Sequence, residues 1–283
     1  MPELPEVETV RRGLSPVMEG YKFERVELRR ANLRFPFPDN FAARLEGETI
    51  TRFGRRAKFL DVSLTSGERL LMHLGMSGRF TIDGEAKTTS PGQFVSDTGG
   101  IAKHDHVIFH MSSGHRVIYN DPRRFGFMEL VAKGETPPRL THLGPEPLSN
   151  ECNAPTLREK LRGKKSKIKA ALLDQSIIAG LGNIYVCEAL FRARISPKRL
   201  SGRLTVAETE NLVAHIKDVI SEAIDAGGSS LRDFAQADGD LGYFQHSFDV
   251  YGREGEPCPA CTAPLVRITQ SGRSSFYCKV CQT

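Results

Sequence analysis

Four of the six cysteines in this 283-residue chain lie in its last 26 residues, and their spacing limits what that segment can fold into. They form two Cys-x2-Cys pairs separated by 16 residues: Cys258, Cys261, Cys278 and Cys281. Each pair can present two thiolates to one tetrahedral ion, and the spacer fits a β-hairpin with a turn at Ser271 and Gly272. Because so short a segment cannot bury a core, we predict that one structural Zn²⁺ supplies its folding energy. An iron–sulfur cluster and a redox dithiol are the alternative interpretations.

The composition describes an ordinary globular protein. Hydrophobic residues make up 39% of the chain and charged residues 26%. No apolar run approaches the roughly 20 residues that cross a bilayer, and the N-terminus lacks the pattern of a secretory signal. We therefore expect a cytoplasmic protein without a membrane partner. The net charge of +5 suits a polyanionic partner.

The order of the predicted elements indicates a multi-domain α+β protein. A helix is predicted over residues 3–13, and short strands separated by turn residues follow over residues 22–130, a pattern typical of a β-sandwich. The proline-rich stretch 137–147 fits a linker, and residues 154–226 have helical periodicity. We predict four segments: a β-sandwich domain (1–136), a linker (137–153), a helical domain (154–245) and a zinc finger (246–283).

The chain begins Met1-Pro2-Glu3-Leu4-Pro5-Glu6. Removal of Met1 would leave Pro2 with a secondary amine whose pKa is about 8, partly unprotonated at neutral pH and able to attack an aldehyde-like carbon. Glu3 and Glu6 would supply a nearby acid or base. The alternative is structural, because proline and acidic residues commonly open a helix.

Two basic segments point to a polyanionic partner. Residues 158–169 carry seven basic side chains and one acidic one, at the start of the helical region. A tight turn at 177–183 follows, and we expect Asn183 to be the N-cap of the next helix. In Asp-Pro-Arg-Arg-Phe-Gly (121–126), Arg123 and Phe125 stand at a loop tip that could wedge into a duplex. A solvated helix face and a basic turn with Phe125 in the core are the alternatives.

Four further residues are candidates from their local context. Lys58 precedes a strand and could contact phosphate or donate a proton, although a solvated lysine is the default interpretation. Met76 lies in a glycine-flanked turn, where an exposed apolar side chain needs a reason. His104, within Lys-His-Asp-His, fits a polar loop or a phosphate contact better than a metal site. Arg273 lies at the finger hairpin and is either a solvated turn residue or a contact.

Together these motifs resemble the bacterial formamidopyrimidine-DNA glycosylases over essentially the whole chain. The resemblance rests on five motifs in order: residues 2–9, 73–78, 121–126, 180–185 and the four-cysteine finger. It implies an N-terminal β-sandwich with an N-terminal helix, then a helix–two-turn–helix domain and a zinc-finger β-hairpin. It also implies a bifunctional DNA glycosylase and AP lyase of base excision repair, which removes 8-oxoguanine and formamidopyrimidines from duplex DNA.

The family pattern implies roles for the matching residues at the reaction centre. Pro2 would attack the sugar C1′ and form a Schiff base, and Glu3 would be the general acid or base. Glu6 would help to position this machinery, and Lys58 would act in the β,δ-elimination that cleaves the strand. Arg273 is grouped with these catalytic residues, since it would hold a backbone phosphate.

The pattern also implies DNA contacts. Met76, Arg123 and Phe125 would fill the gap left by the flipped nucleotide, with Arg123 facing the orphaned cytosine. Phosphates around the kink would be held by His104, Lys164 and Asn183. The segment 228–234 resembles a loop that closes on the oxidised purine, although the family usually has threonines where this chain has Ser229 and Ser230.

Two rival functions are also compatible with these residues. An endonuclease VIII-type glycosylase acts on oxidised pyrimidines, but Leu4 and the complete Met76, Arg123 and Phe125 set favour the purine enzyme. A non-catalytic protein that recognises bent DNA would not need the amine of Pro2. We expect a monomer that acts on damaged double-stranded DNA at the nucleoid and needs no small-molecule cofactor.

Overall fold

The computed structural model describes residues 2–84, 102–229 and 247–283. The chain divides into two compact units, Met1–Thr141 with Ala226–Gln245, and His142–Asp225 with His246–Thr283. Within the described ranges, none of the helices has the length and apolar character needed to cross a membrane. The separation of the helical domain from the finger at residue 245 stays a prediction.

The first unit contains two antiparallel four-stranded sheets and two helices. The sheet orders are β1-β6-β7-β5 and β2-β3-β4-β8. The elements are α1 (Leu4–Met18), β1 (Phe23–Leu28), α2 (Phe41–Leu45), β2 (Ile50–Arg56), β3 (Phe59–Leu64), β4 (Arg69–His73), β5 (Arg79–Asp83), β6 (Asp105–Met111), β7 (Arg116–Asn120) and β8 (Phe127–Val131). The predicted β-sandwich with an N-terminal helix is therefore confirmed.

One hydrophobic core joins the two sheets and α1. Alternate residues of β3 are buried, as expected for a strand with one face on a core. Phe109 from one sheet and Phe53 from the other belong to the same buried cluster. Helix α1 runs to Met18, beyond the predicted end at residue 13, because Leu14 and Met18 continue its buried stripe despite Pro16.

The second unit is helical and ends in a two-stranded hairpin. Helix α5 packs against α6 and against the hairpin. The elements are α3 (Ala154–Leu161), α4 (Ile168–Leu172), α5 (Asn183–Arg192), α6 (Val206–Asp225), β9 (Val266–Gln270) and β10 (Arg273–Tyr277). The N-cap of α5 is Gly182, so the prediction that Asn183 caps this helix is wrong. Asn183 is instead the first helical residue, and its side chain donates to the carbonyl of Ser274.

A buried carboxylate attaches the segment before the finger to α5. Glu188 is fully buried and accepts hydrogen bonds from the backbone N–H groups of Asp249, Val250 and Tyr251, at 2.8, 3.1 and 2.8 Å. Burial raises the pKa of Glu188 to about 7, although the three donors oppose this shift. Because backbone groups are the donors, the contact fixes the path of the chain into the finger.

Candidate active site and nucleic-acid interface

The start of α1 is packed rather than frayed. Pro2 is buried, and Glu3 is only 4% exposed. The backbone N–H of Glu3, the N-cap residue, donates to Oε2 of Glu6 at 2.8 Å, as in a capping box. Pro2 therefore directly precedes a fixed helix start that carries two buried carboxyl groups, a setting compatible with an amine nucleophile and an acid–base partner.

Glu6 also binds the start of the predicted base-recognition loop. Its Oε1 accepts from the N–H and the hydroxyl of Ser229, at 2.8 and 2.9 Å, and both side chains are 2% exposed. The expected loop, 228–234, lies outside the described residues from Ser230 onward. Sequence reasoning did not find this contact, since no local pattern connects residues 223 positions apart.

Lys58 lies at the tight turn between β2 and β3 and is buried. Ala57 before it has a left-handed backbone with φ 52°. Arg55 donates to the carbonyl of Ala57 at 2.9 Å and to Glu8 of α1 at 3.0 Å, so this turn is connected to the helix that begins just after Pro2. The default interpretation of Lys58 as a solvated lysine is wrong.

The predicted wedge residues lie on two exposed loops of the first unit. Met76 is 38% exposed and Phe125 is 41% exposed, so the alternative with Phe125 in the core is wrong. The guanidinium of Arg123 lies 4.8 Å from the ring centroid of Phe125. His104 is partly exposed at the end of a short 3₁₀ helix just before β6. Exposed apolar side chains beside cations suit a surface that meets stacked bases and phosphates.

In the second unit, two buried or half-buried side chains converge on one carbonyl of the finger. Asn183 Nδ2 donates to the carbonyl oxygen of Ser274 at 3.0 Å and to the hydroxyl of Tyr251 at 3.4 Å. Lys169 Nζ donates to the same Ser274 oxygen at 2.8 Å. Lys169 is fully buried, so its inclusion in the predicted basic surface 158–169 is wrong.

The two predicted phosphate-binding cations of this unit are exposed. Lys164 lies in the segment between α3 and α4, and Arg273 is the first residue of β10, next to Ser274. An exposed cation on a fixed backbone is well suited to phosphate binding, because it meets the anion without prior desolvation. The structure thus places the candidates in two sets, one in each unit.

The four finger cysteines fit one tetrahedral ion. Their sulfur atoms all lie within 4.8 Å of one another, with 3.9 Å between Cys258 and Cys281 and 3.5 Å between Cys261 and Cys278. Zn–S bonds of about 2.3 Å place the sulfurs of a tetrahedral site about 3.8 Å apart. The predicted structural zinc site is therefore confirmed, and its four protein ligands leave no position for a substrate. Among the residues that the structure describes, this is the one such cluster.

Three family models cover most of the chain. The formamidopyrimidine-DNA glycosylase N-terminal domain matches residues 1–128, and the H2TH domain of the same glycosylase matches residues 143–235. A zinc finger found in FPG and IleRS matches residues 255–283.

Relatives and solved structures agree with these matches. Formamidopyrimidine-DNA glycosylases from Ruegeria pomeroyi and Nitrobacter winogradskyi are 58% and 57% identical, each over the full length of both chains. The crystal structure of the Thermus thermophilus MutM (FPG) protein has a TM-score of 0.84 at 39% identity, covering 99% of this chain and 98% of that one. A Lactococcus lactis FPG mutant in complex with DNA containing Fapy-dG has a TM-score of 0.86 at 34% identity, covering 99% of each chain. The chain belongs to the formamidopyrimidine-DNA glycosylase family.

Proposed function

We propose that Pro2, which becomes the N-terminal residue when Met1 is removed, is the nucleophile with which this DNA glycosylase and AP lyase releases oxidised purines from duplex DNA. The observation that carries the assignment is the packed start of α1, where Pro2 and Glu3 are buried and Glu6 fixes the Glu3 backbone. Relatives of this chain have been solved with DNA that contains Fapy-dG and carbocyclic 8-oxo-G. These lesions define the substrate class that we assign here.

The proposed chemistry requires one amine, one carboxyl group and nearby cations. The nitrogen of Pro2 forms a bond to C1′ as the bond from C1′ to the base breaks; Glu3 gives a proton to the departing base and then takes up the proton that the Pro2 nitrogen loses. Glu3 donates the proton that opens the sugar ring, which leaves an iminium between Pro2 and C1′. The iminium acidifies C2′, and loss of its proton expels the 3′-phosphate. Elimination of the 5′-phosphate follows, with Lys58 assisting.

Access to C1′ requires that the damaged nucleotide leave the stack. We assign Met76, Arg123 and Phe125 to the gap that it leaves in the duplex, because they are exposed on adjacent loops. His104, Lys164, Asn183 and Arg273 are assigned to backbone phosphates around the kink. We further propose that the protein acts as a monomer at the nucleoid, without a small-molecule cofactor.

Borohydride trapping tests the mechanism. The processed protein is mixed with a duplex containing 8-oxoguanine opposite cytosine, and borohydride reduces the iminium to a stable amine. We expect a covalent adduct that peptide mapping places on residue 2. An adduct on Lys58, or no adduct from folded protein without Met1, would sink the assignment of Pro2.

The variant Glu3→Gln tests the acid–base role of Glu3. It keeps the size of the side chain but cannot supply the proton, so base release from 8-oxoguanine should fall by about 100-fold or more. Trapping on a preformed abasic site should persist, because no base has to leave and part of the abasic sugar is already the open-chain aldehyde. A parallel duplex containing thymine glycol separates the purine enzyme from an endonuclease VIII-type glycosylase, for which thymine glycol would be the better substrate.

A further inference from the structure

We propose that Asp121 and Ser77 are positioning residues that hold Met76, Arg123 and Phe125 together as one rigid wedge. The inference rests on the proposed function, in which these three side chains fill the gap left by the extruded nucleotide. It assigns roles to two side chains that do not themselves reach the surface: Asp121 is fully buried and Ser77 is 4% exposed.

The carboxylate of Asp121 binds two loops at once. Its Oδ1 accepts from the hydroxyl of Ser77, directly after Met76, at 2.5 Å. Its Oδ2 accepts from the backbone N–H of Gly126, directly after Phe125, at 2.9 Å, and from the hydroxyl of Tyr119 at 3.3 Å. Hydrogen bonds to a charged, buried acceptor are stronger than neutral ones, so this carboxylate is a firm connection between the loops.

Ser77 adds a second connection. While its hydroxyl donates to Asp121, its oxygen accepts from the backbone N–H of Arg123 at 3.2 Å. The Ser77 hydroxyl therefore connects the Met76 loop to the backbone of Arg123, the residue assigned to the orphaned cytosine. An aliphatic side chain at position 77 would remove both contacts.

The backbone of Asp121 extends the connection to the segment with His104. Its N–H donates to the carbonyl of His104 at 3.0 Å. Its carbonyl accepts from Nε2 of His106 at 2.9 Å, which requires that this ring nitrogen carry the hydrogen. Asp121 thus contacts all three segments of the first unit to which DNA contacts outside the reaction centre are assigned. These are the Met76 loop, the loop with Arg123 and Phe125, and the segment with His104.

Close packing of the backbones makes the two loops move together. Gly75 has φ 66°, and a Cβ there would overlap the backbone of Phe125. A Cβ on Gly126 would overlap the hydroxyl of Tyr119. With both loops in backbone contact, one cannot shift without the other.

Rigidity matters because insertion of a wedge unstacks bases, which costs a few kcal/mol per step. Side chains that are already ordered lose less conformational entropy when they insert. The carboxylate and hydroxyl therefore act on the extrusion step and leave the chemistry at C1′ unaffected.

The test compares two substrates for Ser77→Ala. Excision of 8-oxoguanine from a duplex needs extrusion, whereas cleavage at an abasic site in single-stranded DNA does not. We expect the duplex rate to fall at least about tenfold, since buried groups lose their partners, and the single-strand rate to stay within about twofold. Tyr119→Phe is the matched control: it removes a hydroxyl from the same carboxylate without separating the loops, and should have the smaller effect.

A double-mutant cycle distinguishes positioning from a general loss of structure. If Ser77 acts through the wedge, adding Ser77→Ala to Arg123→Ala should slow duplex excision much less than it does in the wild type. Fully additive effects, an unchanged duplex rate, or equal losses on both substrates would each overturn the proposal. Failure of the wild-type protein to form the borohydride adduct would instead refute the proposed function.

Discussion

The imidazole of His73 is held neutral at the end of β4, directly before the turn that carries Met76. Burial, followed by the positive charges of Lys58, Arg34 and Arg139, lowers the pKa of His73 to about 4. Its Nδ1 accepts from the backbone N–H of Gly75 at 3.0 Å, which is possible only while that nitrogen is unprotonated. The neutral form thus supports the turn that presents Met76.

This arrangement predicts a loss of stability in acid. Between pH 6.5 and about 4 the unfolded chain binds a proton at His73 that the folded chain does not, so the free energy of unfolding falls as the pH falls. From pH 7.5 to pH 5 this group should contribute a loss of about 2 kcal/mol. His73→Asn retains an acceptor for Gly75 but does not titrate, so its loss in urea denaturation should be smaller by that amount. Identical losses in the two proteins would contradict the prediction.

At the scale of elements, the finger hairpin is positioned by polar side chains from outside it. Lys169 and Asn183 both bind the carbonyl of Ser274, next to Arg273, while Glu188 holds the chain before the finger. The finger therefore depends on zinc for its own fold and on α4 and α5 for its placement within the second unit.

Two variants separate the fold of the finger from its contact with DNA. Cys261→Ser removes one of four thiolates, so the chain should lose zinc and most of its affinity for a duplex containing a stable abasic analogue. Arg273→Ala removes an exposed cation, so it should keep one zinc per chain and bind about tenfold more weakly. Zinc content by atomic emission and titration with labelled duplex measure both. Release of zinc by Arg273→Ala, or unchanged affinity after either substitution, would contradict this division.

At the scale of the whole molecule, the sequence predicted the elements and the metal site, but it did not predict which distant residues contact each other. Regular patterns predicted the sandwich, the helices and the metal site, because burial and ligand spacing recur at fixed intervals. Lys169 and Lys164 look alike in one basic run, yet only the first is buried. Such distinctions depend on contacts between distant residues, as with Glu6 and Ser229.

The residues assigned to the chemistry differ from those assigned to phosphate binding. Blocking the amine of Pro2 should therefore abolish the reaction without abolishing DNA binding. A form with an uncleaved peptide before Pro2 has an amide nitrogen there, which cannot form an iminium, so trapping and strand cleavage should disappear. Affinity for a duplex with a stable abasic analogue should stay within about threefold, because Lys164, Arg273 and the wedge residues are unchanged. Protease removal of the peptide to expose Pro2 should restore both activities. Strand cleavage by the extended form would show that the nucleophile lies elsewhere, and failure to bind DNA would show that the N-terminus is itself needed for binding.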